Sequence, residues 1–298
     1  MTLPSVFRGR AAAGGSLSDL VALTKPRVMS LLLLTGAAGM FVGAGGVPDL
    51  VDLGVMLVGL ALACGGAAAF NHVMDADIDR LMGERTAARP VAAGRVSAPY
   101  ALEFALALSA ASFALLASTA NVLTAVLALV GNLFYVIVYT RYLKRSTDWN
   151  IVIGGAAGAV PPLVGYAAAT GDLGVPAVAL FLIVFLWTPP HFWALALMIR
   201  EHYEAAHVPM LPGTRGERET TRQILWYSVA TVAATVAVGA WLGPLYTAAA
   251  LALGAWFLVL ARRLRADTSR HNAVALFHYS LAYLALLFVA AALDPIVL

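Results

Sequence analysis

The sequence predicts an all-α integral membrane protein with nine transmembrane helices, its N-terminus cytoplasmic and its C-terminus outside. Three observations carry that prediction. The 298 residues are 61% hydrophobic and only 12% charged, where an ordinary soluble domain is about 25% charged. Apolar runs of about 20 residues, long enough to cross the hydrocarbon core, recur between short polar breaks. The basic residues also collect in alternate breaks, which orients the chain.

In order, residues 1–24 form an Ala/Gly/Ser-rich cytoplasmic segment with Arg8 and Arg10. This segment lacks the continuous apolar core of a secretory signal. Ser16 to Thr24 suits a short interfacial helix, and Lys25-Pro26-Arg27 opens the first span, since proline is tolerated in a first helical turn. Residues 25–298 then read as one polytopic domain. Its spans are Val28–Val47, Val51–Phe70, Ala101–Thr119, Val122–Thr140, Ile151–Ala169, Val175–Ile199, Ile224–Leu242, Leu245–Ala261 and Ala273–Leu293. With this division all 19 Lys and Arg residues fall on one side, while Asp49, Asp52, Asp172 and Asp294 mark the other. The positive-inside rule makes the basic side cytoplasmic. The single cysteine, Cys64, lies within an apolar run and reads as a packing residue.

Chemistry concentrates at the end of the second span, in N-H-V-M-D-A-D-I-D-R from Asn71 to Arg80. On a helix Asn71, Asp75 and Asp79 share one face at i, i+4 and i+8, and Asp77 points away. Two carboxylates at that spacing repel by a few tenths of a kcal/mol in water. A divalent cation between them reverses the sign, and Mg²⁺ favours one or two carboxylates plus substrate phosphate oxygens. Guanidinium forks suit the same phosphate oxygens. Arg80, Arg89, Arg141, Lys144, Arg145 and Arg200 are the candidates to hold a diphosphate. Depth supports a site at the boundary, because an Asp at mid-bilayer costs about 2.5–3.5 kcal/mol. The plain alternative is a solvated, charged helix end.

Two further clusters stand on the same side. Glu201 and Glu204 follow span six, with Tyr203 between them, and are candidates for a second metal. The basic, aromatic stretch from Tyr139 to Asn150 suits a headgroup anchor. Gly154 and Gly158 form a small-xxx-small pair for close helix contact. Pro161-Pro162 and Thr188-Pro189-Pro190 should bend spans five and six.

Together these motifs resemble the UbiA superfamily of intramembrane prenyltransferases, and within it the branch that farnesylates heme. Asn71-x-x-x-Asp75-x-x-x-Asp79 is similar to the superfamily's first aspartate motif. Leu23-Thr24-Lys25-Pro26-Arg27, Arg89-Pro90 through Gly94-Arg95, and Leu143-Lys144-Arg145-x-Thr147-x-x-Asn150 through Gly154-Gly155 resemble the branch's own segments. So do Trp187 to Trp193 and Val208 to Pro212. The likeness covers roughly Leu23 to Pro212 and is weak in the last three spans. It departs before Tyr203, where the branch carries an acidic residue and this chain has His202.

The resemblance implies transfer of the farnesyl group of farnesyl diphosphate to a vinyl group of heme b, giving heme O. It implies Mg²⁺ on Asp75 and Asp79, with Asn71 positioning a diphosphate oxygen or a metal-bound water. Glu201 and Glu204 remain for a second ion. His191, His72 and Tyr203 are the candidate heme contacts. The lipid bilayer and the two substrates are the expected partners, with heme A synthase or terminal oxidase assembly proteins as receivers of the product. Arginine far outnumbers lysine and no transit peptide is evident, which favours a prokaryotic plasma membrane. Two alternatives are an aromatic prenyltransferase of quinone synthesis and a noncatalytic heme-handling assembly factor. The first lacks the Lys144-to-Gly155 signature, and the second has no need of the Asp75/Asp79 pair.

Overall fold

A computed structural model describes residues 15–297. Arg8 and Arg10 therefore lie outside the described residues. Within them every regular element is helical, as membrane-depth backbone requires when strands have no barrel to close. Eight helices are long and apolar enough to cross a membrane. They follow a short α1, Leu17–Leu23, at the place expected for an interfacial helix. The first three are α2 (Pro26–Ala44), α3 (Leu50–Met74) and α6 (Ala98–Thr119). The fourth begins as α7 (Val122–Leu133), continues through a π-helical stretch Phe134–Leu143 and ends in α8 (Lys144–Ser146). The fifth is α9 (Asn150–Gly158) with α10 (Val160–Thr170), and α11 (Val175–Met198), α14 (Pro244–Ala266) and α15 (Arg270–Val297) complete the eight.

The seventh expected span, Ile224–Leu242, is the distal part of α13 (Leu211–Val238), which is not among the eight. Its first half carries Arg215, Arg218 and Arg222, and its apolar half is interrupted by Ser228, Thr231 and Thr235. All three hydroxyls donate to carbonyls one turn earlier, so their polarity is satisfied within the helix. Short helices α4 (Ala76–Leu81), α5 (Glu84–Ala87) and α12 (Arg200–Ala205) occupy the charged loops.

The long helices form a closed ring in which each packs on the next: α2, α3, α6, α7, α10, α11, α13, α14, α15 and back to α2. One apolar core, with Trp193, Phe257, Tyr283 and Phe288, fills the C-terminal half. A second, with Met56, Leu60 and Leu116, fills the N-terminal half. Outward-facing Leu106, Val126, Leu182 and Leu251 remain exposed, the pattern of a protein solvated by lipid. At the acidic end of the ring, buried Asp294 of α15 accepts from the backbone N–H of Gly243 and, at 2.9 Å, of Tyr246. This caps the otherwise orphaned donors at the start of α14.

Two packing expectations change. A Cβ on Gly154 would strike the Tyr139 ring, but nothing lies within 4 Å of Gly158, so the pair does not act as one contact. The closest backbone approach is instead between α2 and α10. There a Cβ on Gly165 would overlap the Gly36 carbonyl, and one on Gly39 would overlap that of Pro162. Of the two expected proline bends, Pro161-Pro162 coincides with the break between α9 and α10. By contrast, α11 runs through Pro189-Pro190 as one helix.

Candidate active site

The aspartate motif leaves the ring at the end of α3. Asp75 caps α3 with φ −97° and ψ 8°, then α4 resumes. Helical hydrogen bonds cross that break: Asp75 N–H donates to Asn71 at 2.9 Å, and Asp79 N–H to Asp75 at 2.7 Å. The spacing that places Asn71, Asp75 and Asp79 on one face therefore survives, and all three side chains are buried. Asp77 is exposed on the opposite side, as expected.

Four elements supply cations and donors to this face. From the α1–α2 junction, Lys25 donates to Asn71 Oδ1 at 2.6 Å. Lys25 adopts a left-handed backbone, φ 51°, one of two such non-glycine residues in the described chain. That conformation costs of order 1 kcal/mol and tends to mark functional positions. From the π stretch, Thr140 accepts from Asn71 Nδ2 at 3.2 Å. Four residues on, Lys144 reaches Asp75 Oδ2 at 2.5 Å. Asn71 Nδ2 donates to that same oxygen at 2.7 Å. The wider π winding, common at functional sites, brings both side chains to α3. Arg145 grips Asp77 with both guanidinium nitrogens at 2.7 Å and the Met74 carbonyl at 2.6 Å. It approaches Asp75 only to 3.8 Å. From the loop after α5, Arg89 pairs with Asp79 Oδ1 at 2.5 Å.

These pairs leave two oxygens unused. Asp75 Oδ1 and Asp79 Oδ2 are buried and accept no hydrogen bond. An orphaned buried carboxylate oxygen is costly, and a hard divalent cation is the partner that suits it. Burial pushes the Asp79 carboxyl upward while Arg89 pulls it down. Asp75 and Asp79 therefore fit Mg²⁺. Glu201 and Glu204 do not join them. Both are exposed, and Glu204 is held by Arg200 at 2.6 Å. Among the described residues no three His, Cys, Asp or Glu side chains converge on one ion.

The remaining candidates divide. Tyr203 packs against the buried cluster that holds Ile78, Ile151, Val208 and Met210, which ties the α12 loop to the aspartate loop. Burial raises its phenol to about 12. His191 is sealed between α11 and α15. It stacks on Trp187 at 4.4 Å and Phe277 at 4.8 Å, with Nδ1 2.7 Å from Ser280 Oγ. His72 is buried with both ring nitrogens unpartnered. Arg80 donates to the Ala92 carbonyl at 3.0 Å and braces the loop. Arg141 is exposed, and Arg200 is committed to Glu204. Sequence reasoning missed Lys25 and Thr140 as members of the site. The Leu23-to-Arg27 motif was a signal for the first, and nothing local signalled the second.

Comparison with known proteins places the chain. The UbiA prenyltransferase family matches residues 32–288. The chain is 56% identical over 236 residues to a protoheme IX farnesyltransferase of Symbiobacterium thermophilum, covering 79% of this chain and 78% of the relative. It is 48% identical to one from Synechocystis sp., over 99% of this chain and 95% of the other. A third, from Gloeobacter violaceus, is 51% identical over 95% of this chain and 93% of its own. Among solved structures, a digeranylgeranylglyceryl phosphate synthase superposes with TM-score 0.78 at 18% identity, covering 95% of this chain and 99% of that one. A UbiA homolog from Archaeoglobus fulgidus bound to DMAPP and Mg²⁺ superposes with TM-score 0.73 at 18% identity, covering 94% and 99%. With its family matched across most of its length and near-full-length relatives at about half identity, the chain belongs to the UbiA prenyltransferase family.

Proposed function

We propose that this protein joins the farnesyl group of farnesyl diphosphate to a vinyl group of heme b, giving heme O. The observation that carries the chemistry is the buried Asp75/Asp79 pair, with one free oxygen on each carboxylate and Lys144 and Arg89 on the others. The acceptor rests on relatives that are themselves protoheme IX farnesyltransferases.

In this reading the allylic C–O bond of the diphosphate breaks as the terminal vinyl carbon forms the new C–C bond, and water adds to the cation left on the ring-side carbon, losing a proton to give the hydroxyl of heme O. Mg²⁺ held by Asp75 and Asp79 supplies charge stabilisation to the departing diphosphate. Lys144 and Arg89 orient the two carboxylates. Asn71, fixed by Lys25 and Thr140, positions a diphosphate oxygen. Arg145, tied to Asp77, sets the depth of the loop. The second-metal role of Glu201 and Glu204 is not part of this reading.

The distal part of α13 is proposed as the ninth span, which keeps the basic loops on the cytoplasmic side of a bacterial plasma membrane. A farnesyl tail reaches such a site from the bilayer, where each buried CH₂ is worth about 0.8 kcal/mol. Residues 1–24 form the cytoplasmic lead to a single domain, 25–298. Heme A synthase or oxidase assembly proteins would receive the product. The test offers purified protein heme b or an aromatic acid with farnesyl diphosphate and Mg²⁺, and follows product mass. A farnesylated heme supports the proposal; a prenylated aromatic acid with unchanged heme overturns it.

A further inference from the structure

A cavity of about 320 Å³ opens beside the aspartates, between the α1–α2 junction and the loop carrying α5. Lys25, Arg85, Arg89 and Arg95 line it, with His72 and Val28. No carboxylate lines it, so nothing there would hold a metal ion. His72 is 2% exposed, and neither ring nitrogen has a partner. An imidazole in that state is a hydrogen-bond group awaiting a ligand. Arg85 has no ion-pair or hydrogen-bond partner in the described chain, while Arg95 is shared with Asp19 at 2.8 Å and Arg89 with Asp79 at 2.5 Å.

The two reactants of the proposed reaction are both anionic. One carries a diphosphate, which requires the metal and hence Asp75 and Asp79. The other carries two propionate carboxylates on a flat apolar ring. A cation-lined cavity without carboxylates, bordered by the exposed Val28, matches the second. Val28, in the first turn of α2, is 65% exposed, so an apolar ring can rest against it while its carboxylates reach the arginines. We infer that this cavity is the seat of the porphyrin propionates, held by Arg85 and His72, and adjoins the diphosphate site at Asp75/Asp79, to which Lys25 and Arg89 of its lining are already bonded. The inference rests on heme being the acceptor.

The test is steady-state kinetics of the purified protein with each substrate varied, for the parent, Arg85→Gln and Arg85→Lys. Arg85→Gln should raise KM for heme b about tenfold, the loss of one charge-assisted hydrogen bond. KM for farnesyl diphosphate should stay within about twofold, and Arg85→Lys should recover part of the loss. Esterifying both propionates should weaken heme binding to the parent and weaken it less to Arg85→Gln, because the variant has already lost a partner. If Arg85→Gln raises KM for farnesyl diphosphate instead, or if esterification costs both proteins equally, the inference fails while the function stands. If the parent farnesylates no heme at all, the function itself fails.

Discussion

Arg89 offers the sharpest energetic test, because among the described residues it is the one side chain bonded to the fully buried carboxylate of Asp79. Asp79 is 0% exposed, Arg89 Nη1 sits 2.5 Å from Oδ1, and Oδ2 has no partner. Replacing Arg89 by Met keeps much of the side-chain volume and strands the charge. Breaking a buried pair in this way costs about 3–5 kcal/mol. Arg89 is itself 32% exposed and Lys25 and Lys144 act on Asp79 through space, which lowers the expectation to about 2–3 kcal/mol. In detergent with a chelator the melting temperature should fall by about 3–5 °C. Saturating Mg²⁺ should shrink that gap, since the metal supplies the missing counter-charge. The double variant Arg89→Met/Asp79→Asn should recover most of the loss, because the stranded charge is then gone. A single variant that melts within about 1 kcal/mol of the parent, or a double variant whose losses simply add, would refute the reasoning.

Other expectations follow from the same geometry. Lys144→Met removes the 2.5 Å partner of Asp75 Oδ2 and should lower turnover about 100-fold at saturating Mg²⁺, read by product mass. Asp148 is chelated by Arg215 at 2.6 and 3.0 Å, which holds its carboxyl below the usual range. Its stabilising contribution is complete above the unfolded value of about 3.9 and is lost as pH falls through the lower folded one. Asp148→Asn should therefore flatten the acid limb of melting temperature against pH, and an unchanged limb would exclude the role. Gly165→Ala drives a methyl into the Gly36 carbonyl, whereas Gly158 faces open space. The first should cost about 1–3 kcal/mol and depress the yield of monodisperse protein, while Gly158→Ala should be tolerated.

The bundle was legible because lipid imposes a single coarse rule, apolar length, and the basic residues repeat that rule as charge. The one long helix absent from the eight apolar ones is α13, whose first half carries Arg215, Arg218 and Arg222. Its threonines return their hydroxyls to their own helix, a cancellation that composition does not register. In the site, Asn71, Asp75 and Asp79 were legible because they lie on one continuous helical register. Lys25, and Thr140 with Lys144, reach the same point from two other segments, through a left-handed residue and a π winding that no periodicity encodes. Arg80, Arg141 and Arg200 look equivalent to Arg89 in sequence. The fold spends Arg80 on a loop carbonyl and Arg200 on Glu204, and leaves Arg141 to solvent. His72 stands among the candidate heme contacts in the sequence, but its burial and unpartnered ring nitrogens come only from the structure.

The central claim is that Asp75 and Asp79 together hold the metal on which the diphosphate departs. The most direct measurement is the rate of heme b farnesylation by purified protein titrated with Mg²⁺ from a chelated start, beside Asp75→Ala. The account predicts no turnover without the ion, a saturable rise with it, and a variant that no Mg²⁺ concentration restores. Turnover that is indifferent to the chelator, or that survives the loss of Asp75, would contradict it.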